Sequence, residues 1–126
     1  MHETAVVMGL LDILERKAVE VGIARITAVT VKLGRLRGLD ARQLVGTFEV
    51  LADGSRAEGA RLIVDEVAVA ARCRACGHAF TVEGWRLQCP ACDGDDVDVT
   101  AGRELYVETF DGTRVADDGA APANAT

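Results

Sequence analysis

The segment CRACGHAFTVEGWRLQCPAC, residues 73–92, constrains this chain more than any other. It reads C-x2-C, twelve residues, C-x2-C. Each C-x2-C can fold as a tight turn that aims two sulfurs at one point, and two such turns joined by a short hairpin complete a tetrahedron of thiolates suited to zinc. Gly77 and Pro90 supply the turn chemistry. Cys73, Cys76, Cys89 and Cys92 are therefore the expected ligands of a structural Zn(II). Since all four positions are protein sulfurs, no open site is left for activating water, and the metal braces a fold whose stability it largely supplies. Disulfides are the competing use of four cysteines, but metal-site spacing and the lack of an export signal favour a reducing, cytoplasmic setting.

Other residues of this segment have plainer expectations. Trp85 is expected to cover the two knuckles from the hairpin, and His78 is either a surface histidine or a reserve ligand that replaces a thiolate as pH falls. Arg72, Arg74 and Arg86 give a modest positive bias, opposed by Glu83 and cancelled by the charge near minus two of a zinc tetrathiolate. Over the whole chain the formal net charge is -6, which argues against an electrostatic grip on nucleic acid or an anionic membrane. Glu3, Asp12, Glu15 and Arg16 interrupt the first apolar positions, and no stretch approaches a membrane span in length.

Before the cysteines, Val7, Leu10, Leu11, Leu14, Ala18 and Val21 recur at helical spacing from Thr4 to about Val21, and Gly22 ends the helix. ITAVTVKLG follows as a half-buried strand with Thr27, Val29, Val31 and Leu33 on one face, broken by Gly34 and Gly38. Asp40 stands at an N-cap with Gln43 three residues on, a capping-box pattern that opens a second helix carrying Leu44, Val45, Phe48 and Leu51. ADGSRAEG is a turn-rich connection, and ARLIVDEVAVAARC reads as one long strand running into the first cysteine pair. ELYVETF is a further strand that returns to the first sheet, because alone it could bury little.

The expected fold is thus α+β, a small antiparallel sheet flanked by two helices, with an inserted zinc-ribbon domain. Residues 1–70 plus 101–110 form the discontinuous main domain, 71–100 the ribbon, and 111–126 a disordered tail.

The opening Met-His-Glu has two readings. A histidine at position 2 lets the terminal amine of Met1, the His2 backbone nitrogen and imidazole Nδ1 close fused five- and six-membered chelate rings around nickel(II) or copper(II), with Glu3 completing the set. Backbone nitrogens are free there because the first N–H groups of a helix have no partner within it. The helix macrodipole opposes a cation at this end, and deprotonated amides with the Glu3 carboxylate would offset it. The other reading is that the three residues merely begin a helix.

Taken in order, MHE, the Leu-Leu helix, VTVKLGRLRGLDARQLVGTFEVL, EGARLIVDEV, the two cysteine pairs and GRELYVETF closely resemble the HypA/HybF family of hydrogenase nickel-incorporation proteins, over Met1 to about Phe110. The resemblance implies a metallochaperone with transported Ni(II) at His2, the Met1 amine and, secondarily, Glu3, and with structural zinc at the four cysteines. Asp40 matches a position placed near the nickel in some members, beside its reading as a cap. The implied mechanism is transfer: nickel passes, in complex with a hydrogenase-maturation GTPase, to the precursor of the [NiFe]-hydrogenase large subunit. No nucleic acid, membrane or catalytic turnover is implied, since no nucleophile has a partner at motif spacing and the zinc is closed. The alternative function is a zinc-ribbon adaptor that binds protein or nucleic acid and transports no metal.

Overall fold

The computed structural model describes residues 2–114. In chain order these form α1 (Glu3–Val21), β1 (Ile23–Gly34), a 3-10 turn (Arg35–Arg37), α2 (Ala41–Leu51), β2 (Arg61–Val67), β3 (Ala70–Cys73), β4 (Ala79–Thr81), β5 (Val97–Ala101) and β6 (Leu105–Arg114). The α+β expectation holds: two helices accompany a three-stranded sheet of order β2-β1-β6, and a second three-stranded sheet of order β4-β3-β5 is built from the cysteine region.

Helix α1 buries Val6, Val7, Leu10, Leu14 and Ala18, a stripe at spacings of three and four. It stops at Gly22, whose φ of 78° places it in the left-handed region, where its N–H reaches the carbonyls of Ala18 and Val19. Helix α2 starts at Asp40, whose Oδ1 accepts the N–H groups of Arg42 (2.8 Å) and Gln43 (3.3 Å). The reciprocal half of the capping box is not made among the described residues, and Gln43 lies along the surface instead. Leu44 and Phe48 of α2 are fully buried, whereas Val45 is half-buried and Leu51 exposed, so its core stripe is narrower than expected. The two helices pack against each other.

Strand β1 carries the core side chains Ile26, Val29, Val31 and Leu33. Thr27, expected on this face, is exposed and donates its hydroxyl to the Asp111 carbonyl at 3.2 Å. Ile26 takes the buried place, and its N–H goes to the Arg56 carbonyl at 2.8 Å. The alternation therefore slips by one residue, because burying an isoleucine is favourable and burying a hydroxyl without a partner is costly.

The expected long strand from Ala60 to Cys73 is a second correction, since it is two strands in two different sheets. After Val67 the chain leaves β1, and the Val69 carbonyl accepts the Val82 N–H at 2.7 Å. β3 then pairs antiparallel with β4 and with β5, placing Ala71 opposite both Phe80 and Val99. Strand β6 does return beside β1, but it continues to Arg114, beyond the expected limit at 110. Its end is held closely: a Cβ on Gly112 would lie 2.3 Å from the Arg25 carbonyl oxygen, and Arg114 donates to the Val21 carbonyl at 3.0 Å. The rest of the segment read as a tail, residues 115–126, lies outside the described residues.

The chain divides into two compact units. One holds residues 2–31, 39–64 and 106–114 of those described; the other holds 32–38 and 65–105, a wider span than the ribbon limits read from sequence. Within the second unit, residues 34 and 36 belong with the return segment, through hydrogen bonds from Gly34 N–H to the Glu104 carbonyl (2.7 Å) and from Leu36 N–H to the Gly102 carbonyl (2.9 Å). Among the described residues no helix is long and apolar enough to cross a membrane.

Candidate metal centres

The two cysteine pairs form matching knuckles. In the first, the Gly77 N–H donates to the Cys73 carbonyl (2.9 Å) and the Cys73 N–H to the His78 carbonyl (2.9 Å). In the second, the Asp93 N–H donates to the Cys89 carbonyl (2.8 Å) and the Cys89 N–H to the Gly94 carbonyl (2.8 Å). The residue after each second cysteine is left-handed, Gly77 at φ 79° and Asp93 at φ 62°; Asp93 is the one non-glycine with positive φ among the described residues. Aspartate tolerates that region better than most residues, which lets the second knuckle repeat the first without glycine.

This backbone repeat brings the four Sγ atoms within 4.8 Å of one another, with Cys73 and Cys92 at 3.6 Å and Cys76 and Cys89 also at 3.6 Å. A tetrahedral zinc site with bonds of about 2.3 Å has sulfur–sulfur edges of about 3.8 Å, whereas a disulfide needs about 2.05 Å. The donor set fits a tetrathiolate metal site. Cys73 and Cys89 are buried while Cys76 and Cys92 are exposed, so the site is anchored on one side and open to solvent on the other.

Backbone amides prepare the sulfurs for the thiolate form. The Cys76 N–H, and then that of Ala75, outweigh partial burial and hold the Cys73 thiol down to about 7. At Cys92 the Gly94 N–H favours the thiolate, but the adjoining Cys73 sulfur, burial and the other thiols together push it up to about 12. At Cys76 the His78 N–H likewise pulls down, against Cys89 and burial, and the net shift is upward. Crowded thiols cannot all ionise without a cation between them, and a divalent metal relieves that repulsion.

The surrounding charges are largely satisfied within the ribbon. Arg74 forms ion pairs with Asp96 (2.8 Å) and Asp98, and hydrogen bonding to Asp98 raises the guanidinium while it lowers the Asp98 carboxyl. Arg72 donates to the Gly77 carbonyl at 3.0 Å, and Arg86 to the Gln88 side chain. Trp85 does not cover the knuckles: it is 72% exposed, on the loop that follows β4, next to the left-handed Gly84. Phe80 is the half-buried aromatic of the ribbon, stacked at 6.0 Å on the exposed ring of His78.

At the other end of the sequence, His2 is the N-cap of α1, with extended φ/ψ and no hydrogen bond from its side chain to the helix. Its carbonyl accepts the Val6 N–H at 3.1 Å, closing the first turn. His2 is exposed and Glu3 half-buried; Met1, the other expected nickel ligand, lies outside the described residues. Asp40 is a cap, and among the described residues the four cysteines are the one group of three or more metal-binding side chains, so Asp40 is not brought together with His2 and Glu3. Residue-by-residue reading missed the role of Asp93; its place directly after the second C-x2-C, where Gly77 follows the first, was the available signal.

Known proteins match this arrangement. The family described as hydrogenase/urease nickel incorporation, metallochaperone, HypA, matches residues 1–112. The hydrogenase maturation factor HypA of Chlorobaculum tepidum is 37% identical over 110 residues, 87% of this chain and 97% of that protein. Its counterpart from Caldanaerobacter subterraneus subsp. tengcongensis is 33% identical over 112 residues, 88% and 98%. The solution structure of the nickel metallochaperone HypA from Helicobacter pylori superposes with a TM-score of 0.66 at 26% identity, covering 89% of this chain and 97% of that one. A match over nearly the full length of both chains, together with the four-sulfur cluster, places this chain in the HypA family of hydrogenase maturation factors, metallochaperones for nickel incorporation rather than enzymes.

Proposed function

We propose that this chain carries Ni(II) at its amino terminus in the cytoplasm and hands it to the precursor of the [NiFe]-hydrogenase large subunit, in complex with a maturation GTPase. The observation that carries this is the state of His2: an exposed N-cap whose imidazole is not spent on capping, at the end of α1 where backbone N–H groups lack helical partners. His2, the Met1 amine and, secondarily, Glu3 would supply nitrogen and carboxylate donors to the transported ion. Asp40 serves as the cap of α2. Cys73, Cys76, Cys89 and Cys92 hold a resident Zn(II), which supplies crosslinking and no chemistry.

Copper binds nitrogen sites of this kind more tightly than nickel does, so selectivity rests on metal supply and on docking rather than on affinity. An adaptor working through ribbon cations is disfavoured, because Arg72 and Arg74 are engaged within the ribbon.

Nickel titration of the untagged protein, of His2→Ala and of a form extended at the amino terminus tests the site. Both altered forms should lose at least about tenfold in affinity, ~1.4 kcal/mol, with zinc content unchanged. Equal binding by all three would refute the terminal site.

A further inference from the structure

The four-sulfur cluster is uneven. Cys73 and Cys89, the first cysteine of each pair, are buried, whereas Cys76 and Cys92, the second of each, are exposed. Thiolate reactivity follows access, so two of the four sulfur ligands lie within reach of small solutes and two do not. Around Cys92 the local sequence adds to this: a Cβ on Gly94 would stand 3.3 Å from the Cys92 Sγ, and glycine leaves that side of the sulfur bare.

Each exposed cysteine faces a buried one on the opposite knuckle. Cys92 meets Cys73 and Cys76 meets Cys89, both at 3.6 Å between sulfurs, across 19 and 13 positions of chain. A disulfide needs about 2.05 Å, so a closure of about 1.5 Å makes either bond. The backbone holds the sulfurs in these pairs without help from a metal. The Cys73 N–H is tied to the His78 carbonyl and the Cys89 N–H to the Gly94 carbonyl, and Cys73 ends β3 opposite Val97 of β5.

We propose that the cysteine cluster is a site of reversible oxidative modification, in which peroxide reacts at the exposed Cys76 and Cys92, the zinc leaves, and disulfides form across the knuckles as Cys73–Cys92 and Cys76–Cys89. The exposed thiolate attacks one peroxide oxygen, the O–O bond breaks, hydroxide leaves, and the sulfur becomes a sulfenic acid. That sulfur is then lost to the metal as a thiolate ligand. The buried thiolate facing it attacks next, which forms the S–S bond and releases a second hydroxide. Each disulfide takes two electrons from its sulfur pair and gives them to one peroxide, so two peroxides free one zinc ion. Because the resolving sulfur stands at 3.6 Å, the sulfenic acid is captured before a further peroxide carries it to the irreversible sulfinic acid. A thiol reductant reverses both bonds and readmits zinc. The ribbon is thus braced by metal when reduced and by sulfur–sulfur bonds when oxidised. This inference rests on the resident zinc and is independent of the amino-terminal nickel site.

The test treats the zinc-loaded full chain, freed of reductant, with hydrogen peroxide in the presence of a chromophoric zinc chelator. Zinc release should keep pace with thiol loss, at two peroxides consumed per ion. Dimedone, which traps sulfenic acids, should first label Cys76 or Cys92 and neither buried cysteine. Arg74 and Arg86 place Cys73, Cys76 and the second cysteine pair on three tryptic peptides, so mass mapping with fragmentation should identify Cys73–Cys92 and Cys76–Cys89. Reductant with added zinc should restore the original zinc content and far-ultraviolet spectrum. Oxidation of the zinc-free chain in urea should instead favour Cys73–Cys76 and Cys89–Cys92, which close the shortest loops. First labelling at Cys73 or Cys89, disulfides within each knuckle of the folded protein, the same crossed pairs in urea, sulfinic acid as the first stable product, or zinc retained through peroxide treatment would overturn the proposal. A reduced chain that binds no zinc would overturn the zinc assignment itself and the modification with it, whereas a chain that binds zinc and fails any of the other measurements loses the modification alone.

Discussion

Gly34→Ala sets two physical effects against each other. The backbone of Gly34, at φ -73° and ψ 138°, is open to any residue, and at such a site glycine to alanine ordinarily stabilises by about 0.4–1 kcal/mol through the unfolded chain. The structure predicts the opposite sign. A Cβ on Gly34 would stand 2.1 Å from both the carbonyl carbon and oxygen of Gly102 and 2.6 Å from the Arg103 nitrogen. All three are backbone atoms, so no side chain can swing aside. Reaching ordinary contact requires the two segments to separate by about 1.3 Å, which breaks the Gly34–Glu104 and Leu36–Gly102 hydrogen bonds. Each costs about 1 kcal/mol, rising to about 3 where a buried group is left without a partner. The net expectation is a loss of about 2–4 kcal/mol, a fall of ~10–20 °C in melting temperature for a domain of this size. Urea unfolding of the zinc-loaded protein followed by far-ultraviolet circular dichroism measures it, with Gly9→Ala as the control, since Gly9 has open space around it. Stability equal to or above that of the parent would refute the crossing as described.

Two further outcomes concern the metal site. Zinc must displace protons from Cys76 and Cys92, whose thiols are raised, and below neutrality also from Cys73 at about 7; apparent zinc affinity therefore falls as pH falls. Its logarithm should change by at least ~2 per pH unit just above neutrality and more steeply below it, as read by competition with a chromophoric chelator; a flat profile would contradict the proton count. Asp93→Gly should stabilise the zinc-loaded protein by about 0.5–1 kcal/mol, because it relieves the left-handed φ of 62° while keeping the Asp93 N–H bond to Cys89; a lower melting temperature at unchanged zinc content would show that the aspartate side chain has a role of its own.

The sequence alone determined the local features. Cysteine spacing set the two knuckles, the periodic stripe of Leu10, Leu14 and Ala18 set α1, Gly22 set its end, and Asp40 set the start of α2, because each depends on contacts within a few residues. Strand alternation was less informative. It marks which residues turn inward, not which strand lies alongside, so the change of sheet between Val67 and Ala70 and the slip at Thr27 left no trace in it.

Only the tertiary structure decided where exposure falls. Trp85 faces solvent although it is the sole tryptophan, Gly46 and Val50 line an open groove, and Gly34 meets Gly102 across 68 residues of chain. Burial belongs to a pair of surfaces rather than to a residue, and the second surface comes from elsewhere in the chain.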